Sequence, residues 1–130
     1  MSSNESNQMP SSAHWSLLET LDRLPLPATV KWPNGVYDDE VMQRAGVSLS
    51  IFAPMISDFQ TPHAQDEIYI VVSGNGDLQV DDKVLPATKG DAIFVAARTP
   101  HRFVRFSEDF ATWVVFFPAA GAPHGAEVST

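Results

Sequence analysis

The first thirteen residues are polar and show no hydrophobic period, which predicts a disordered tail. From His14 to Leu24 the pattern changes. Leu17, Leu18, Leu21 and Leu24 recur at helical spacing, and Pro25 and Pro27 stop the helix. A short amphipathic helix docked on the rest of the chain is expected. Pro33-Asn34-Gly35 is a turn signal within a mixed stretch. Beyond it the chain becomes rich in β-branched and aromatic residues. Strands are predicted over Val47–Ala53, Glu67–Val72, Asp77–Val80, Lys83–Leu85, Ala92–Ala96, His101–Phe106 and Thr112–Phe117. Asp81-Asp82 reads as a two-residue hairpin loop.

Short strands with turn signals every roughly eight to twelve residues and no intervening helices argue for an antiparallel sandwich or closed barrel. The expected organisation is a tail over 1–13, a helix and extension over 14–46, a barrel over 47–117 and a frayed tail over 118–130.

Composition narrows the partners. The chain has 130 residues, enough for one domain with a real core. It contains no cysteine, which removes disulfides, thiolate metal sites and cysteine nucleophiles, and leans towards the cytoplasm. A formal net charge of -8 repels phosphate backbones and anionic lipid heads, so nucleic acid is not expected as a partner. No apolar run approaches the roughly 18 residues of a membrane span.

One group of residues carries chemistry. In an extended chain His63, Gln65, Glu67 and Tyr69 share a face, and that face leads into a strand that reads as core. Burying an imidazole and a carboxylate together is costly unless they pair or bind a cation. His101 opens another predicted strand 34 residues after Glu67. Two imidazoles and one carboxylate suit iron(II) and similar ions, and zinc would accept the same set. The plainer alternatives are a surface His63–Glu67 pair without metal and a satisfied core histidine at position 101.

The stretch PHAQDEIYIVVSGNG, residues 62–76, resembles the first motif of the cupin superfamily, and GDAIFVAARTPHRF, residues 90–103, resembles the second. The resemblance spans roughly residues 47–117. It implies an antiparallel double-stranded β-helix, or jelly-roll barrel, with the short helix in front. It also implies a divalent ion (iron, manganese, nickel or zinc) on His63, Glu67 and His101. The position of a further histidine ligand falls on Thr61. Gln65 is a candidate for the vacant place, either as a ligand or as a hydrogen-bonding partner of one. Ala96, Arg98 and Arg105 stand where the family commonly has Pro, Gly and Asn.

Tyr69, Phe103 and Trp113 are candidates to line a substrate pocket, with barrel core as the plainer reading of each. Arg105 is a candidate to meet a substrate anion if it faces inward with His101, and a solvated cation if it faces out. The resemblance implies oxygenase, isomerase, decarboxylase or lyase chemistry on a small organic substrate. A non-catalytic domain that binds a carboxylate or sugar is the alternative. A homodimer is the family-level expectation.

Overall fold

The structure, a computed structural model, describes residues 10–55 and 63–119. The tail expectations for residues 1–9 and 120–130, and the role of Thr61, lie outside the described residues. The described residues form one short helix and eight strands, all paired antiparallel. They are α1 (Leu17–Asp22), β1 (Asp38–Arg44), β2 (Val47–Phe52), β3 (Asp66–Ser73), β4 (Asn75–Val80), β5 (Lys83–Thr88), β6 (Ala92–Val95), β7 (His101–Phe106) and β8 (Ala111–Phe117). A five-stranded sheet has the order β1-β2-β8-β3-β6, and a three-stranded sheet has the order β5-β4-β7.

Seven of these strands match the pattern of β-branched and apolar runs. The eighth, β1, carries the sequence DDEVMQR and lies at the edge of its sheet. Edge strands tolerate charge because water reaches one side, so the hydrophobic signal is weak there. The helix is shorter than its leucine spacing predicts. Ser16 caps it by accepting from the Glu19 N–H, and the Arg23 N–H closes its end.

The core lies between the two sheets. Tyr69, Val71, Leu78, Ala87, Ile93, Val95, Phe103, Phe110 and Val114 pack there, with Phe52, Phe106 and Phe116 against them. Each fully buried aromatic of this kind stabilises the fold by about 2–3 kcal/mol. Ile51 is equally buried but lies outside this cluster, since successive strand residues face opposite sides. Its partner on β1 is Asp39, which Arg23 binds just beyond α1. The N-terminal segment therefore runs along the outer face of the larger sheet.

Two loops fix the geometry near the site. Asp81 takes a left-handed backbone (φ 54°) in the two-residue β4–β5 loop, as the hairpin signal predicts. Arg98, between β6 and β7, is also left-handed (φ 63°). That conformation costs a non-glycine residue about 1 kcal/mol or more, and glycine relieves it at a smaller entropic penalty. Arg98→Gly is expected to raise stability by up to about 1 kcal/mol in urea unfolding. A clear loss of stability would contradict this reading of the loop.

Candidate metal centre

Three elements bring the site together. Glu67 projects inward from β3 of the larger sheet, and His101 opens β7 of the smaller one. His63 precedes β3 and is held by its backbone, because its carbonyl accepts from the Arg98 N–H at 2.6 Å. Asp66 reinforces that link by accepting from the Ala97 N–H at 2.8 Å. The loop between β6 and β7 is thus tied to the strand that carries Glu67.

One candidate ligand atom from each of His63, Glu67 and His101 lies within 4.8 Å of the others. The Glu67 and His101 side chains are each 1% exposed, with Oε2 and Nε2 3.0 Å apart. The His101 Nδ1 lies 2.7 Å from the Thr99 carbonyl oxygen. A carbonyl only accepts, so Nδ1 donates to it and Nε2 is left facing the carboxylate. A proton or a cation between Nε2 and Oε2 joins the two groups. In addition, His63 Nε2 and Glu67 Oε1 are buried without a hydrogen-bond partner. Buried polar atoms are almost always satisfied. A divalent cation answers all of these demands at once, so the residues fit the group the sequence implies.

The remaining sequence candidates divide. Tyr69 and Phe103 are fully buried in the core, and the Tyr69 hydroxyl lies 3.2 Å from His101 Nε2. Gln65 is part-buried, and its side-chain N–H donates to the Gly46 carbonyl at 3.4 Å. Residues 64 and 65 form a bend before β3, so strict alternation does not extend from Glu67 back through Gln65.

Arg105 does not enter the pocket. Its side chain is exposed, donates to Asp77 at 2.8 Å and to Asn75 at 3.1 Å, and is held even more firmly in its charged form by Asp77. The cause is a register shift: Asp77 and Leu78 of β4 face Arg105 and Phe103, leaving Val104 as an extra residue on β7. A bulge of this kind reverses the alternation beyond it. Phe106 then packs on the core where Arg105 would have been.

Trp113 is also corrected. It pairs with Ile51 and Ile70, on the face of β8 opposite Thr112, Val114 and Phe116. Phe116 lines the site instead, with its ring 5.0 Å from that of His63.

Hydrophobic patterning misses two inward residues. In the structure Ser48 and Ser50 are buried and share the inner face with Phe52. Ser48, Phe116, Glu67 and Val95 form one row across β2, β8, β3 and β6, and Ser50, Val114, Tyr69 and Ile93 form the next. Asp38 is a further miss, since it opens the strand that the sequence hides. It still reaches solvent, yet crowding by the surrounding protein raises its carboxyl from the ordinary range, against the opposing pull of its backbone and of His63.

The cupin domain family pattern matches residues 52–117. The chain therefore belongs to the cupin family, a class of jelly-roll barrels that agrees with its two antiparallel sheets. An uncharacterized protein of Streptomyces coelicolor is 42% identical over 62 residues, which cover 48% of this chain and 59% of that protein. The match thus spans little more than half of the relative's length. A Cupin 2 conserved barrel domain protein from Salinispora arenicola superposes with a TM-score of 0.54 at 24% identity, over 64% of this chain and 76% of that one. The DMSP lyase DddQ from Ruegeria pomeroyi superposes with a TM-score of 0.56 at 13% identity, over 66% of this chain and 48% of that one. These structural likenesses speak for the fold alone. Among the described residues no helix is long and apolar enough to cross a membrane.

Proposed function

We propose that this cupin domain binds one divalent metal ion, iron, manganese, nickel or zinc, through His63, Glu67 and His101, and acts there on a small organic substrate. The observation that carries this reading is the convergence of one ligand atom each from His63, Glu67 and His101 within 4.8 Å, with His63 Nε2 and Glu67 Oε1 buried and without a hydrogen-bond partner. A bound ion would supply Lewis-acid polarisation of a substrate oxygen. The protein's own share is positional. Thr99 fixes the His101 ring through Nδ1, a partner of the kind that orients metal-ligating histidines. The Arg98 N–H fixes the His63 backbone. Tyr69, Phe103 and Phe116 wall the site with apolar surface, which strengthens electrostatic interactions inside it.

Oxygenase, isomerase, decarboxylase and lyase reactions are all compatible with such a site. Two further elements belong to the same proposal. A homodimer is supported by the outer face of the larger sheet, where Ile70 and Phe94 are exposed. A cytoplasmic setting is supported by the absence of cysteine.

The test is direct. Protein stripped by a chelator and offered iron(II), manganese(II), nickel(II) and zinc(II) in turn should take up one equivalent of at least one of them. Loaded protein should then turn over a member of a panel of diketones, hydroxy acids and aromatic diols. Failure to take up any of the four ions would overturn the metal centre. Full loading without turnover across the panel would replace catalysis by simple ligand binding.

A further inference from the structure

We propose that Asn34 is a site of spontaneous modification, its side-chain amide closing on the Gly35 nitrogen and ending as aspartate and isoaspartate, and that the isoaspartate loosens the loop between α1 and β1. The sequence holds two Asn-Gly pairs, Asn34-Gly35 and Asn75-Gly76. In such a pair the glycine nitrogen meets the asparagine side chain with no side chain of its own in the way. The reaction is an intramolecular acyl transfer. The Gly35 amide gives up its proton to solvent, and its nitrogen attacks Cγ of Asn34. The N–Cγ bond forms, the Cγ–Nδ2 bond breaks, and Nδ2 takes a proton from solvent and leaves as ammonia. Water then opens the cyclic imide. Its attack at Cγ gives aspartate. Its attack at the main-chain carbonyl carbon gives isoaspartate, whose chain runs through Cβ and Cγ.

The fold separates the two pairs. Asn34 is exposed, in the turn that Pro33 opens. Its main-chain carbonyl accepts from the Tyr37 hydroxyl at 3.3 Å, and its side-chain amide has no hydrogen-bond partner among the described residues. The Gly35 N–H is held by one bond, to the Trp32 carbonyl at 3.1 Å. A single turn bond at the surface opens readily. Asn75-Gly76 is built differently. Gly76 is buried in β4, paired with Phe106 on one side and Ala87 on the other. Even one added carbon on it would lie 2.6 Å from the Arg105 carbonyl oxygen. The Asn75 side chain is occupied, since its Oδ1 accepts from Arg105 at 3.1 Å, and its N–H donates to Ser107 Oγ at 3.0 Å. Ring closure there requires β4 to leave its neighbours.

Isoaspartate adds an atom to the main chain inside a closed loop. Leu26 and Val36 bond each other in both directions, at 2.7 and 3.1 Å, and the Thr29 N–H bonds the Trp32 carbonyl at 3.0 Å. Gly35 is packed so closely that a Cβ would lie 2.8 Å from the Pro25 Cβ, so the longer chain has no room on that side. The loop bonds then break in exchange for the new length. Lys31 is exposed in the same loop, so trypsin reads how far the loop opens.

The test is to age the folded protein in mildly alkaline buffer and follow both asparagines by peptide mass spectrometry. Asn34 should convert at least about ten-fold faster than Asn75, because a strand between two neighbours opens far less often than a surface turn. In guanidinium chloride the two rates should become comparable. Equal rates in the folded protein, or no conversion at Asn34, would overturn the assignment. A gap that persists in guanidinium chloride would also overturn it, by tracing the difference to local sequence and not to the fold. Aged protein should be cut by trypsin after Lys31 faster than fresh protein. Asn34→Asp carries the charge without the extra chain atom and should be cut like fresh wild type. Aged protein cut no faster than fresh, or Asn34→Asp cut as fast as aged protein, would overturn the loosening of the loop.

Discussion

His101→Ala and Glu67→Ala proteins are each expected to retain less than about one-tenth of the wild-type metal content after dialysis against a weak chelator. Losing a hydrogen-bonding partner of a ligand typically weakens metal binding about 10- to 100-fold, and losing a ligand should do no less. The same substitutions carry a second cost. Glu67 and His101 are both about as buried as side chains become, and removing one leaves the other without its partner. Breaking a buried pair in this way destabilises a fold by about 3–5 kcal/mol. Glu67→Gln keeps the shape and removes only the charge, so it separates the two effects. It should lose metal while unfolding in urea much closer to the wild type than Glu67→Ala does. Equal metal content in the wild type and all three variants, measured by elemental analysis, would remove the proposed site.

The second large effect is expected at a glycine. Gly74 joins β3 to β4 with φ +71°, and a Cβ there would lie 2.4 Å from Ser107 Oγ, 2.7 Å from Asp109 Oδ1 and 2.8 Å from the Phe110 Cα. The last contact is with backbone and cannot be relieved by turning a side chain. Ser107 also accepts from the Asn75 N–H at 3.0 Å and donates to Asp109 at 2.7 Å, so its displacement would break two hydrogen bonds. Gly90 provides the control. It is left-handed too, with φ +97°, but an added Cβ would meet no atom within 4 Å. Gly90→Ala should therefore lose only the backbone term, about 1 kcal/mol. Gly74→Ala should lose about 2–4 kcal/mol, because steric overlap is added to strain. Comparable losses for the two variants in urea unfolding would show that the turn relaxes around the new methyl.

The two glycines belong to the motifs that made the barrel legible in the sequence. EIYIVV and AIFV read as strands because β-branched and aromatic residues suit a pleated surface with one buried face. His63, Glu67 and His101 were legible as a group because their residue types are costly to bury singly. The structure adds what spacing could not give. His63 owes its place to backbone bonds with the loop around Arg98, across 35 residues of chain. The left-handed backbone at Arg98 also accounts for the glycine that the family commonly places there.

The failures have local causes. Strict alternation places Arg105 beside His101, but one extra residue on β7 turns it outward. The bulge has no mark in HRFVRF that periodicity could detect. Register assigns Trp113 to the outer face and gives the place beside His63 to Phe116. Ser48 and Ser50 escape the rule that polar residues face water, because both are buried in the inner-facing rows of Glu67 and Tyr69. β1 was hidden because charge at a sheet edge resembles a loop.

The measurement that bears most directly on the centre is the anomalous X-ray scattering of a metal-loaded crystal, collected on both sides of the metal's absorption edge. One peak is expected per chain, with His63 Nε2, a Glu67 carboxylate oxygen and His101 Nε2 each about 2.0–2.3 Å from it. A loaded crystal whose peak lies elsewhere, with these three side chains in contact only with one another, would contradict the account.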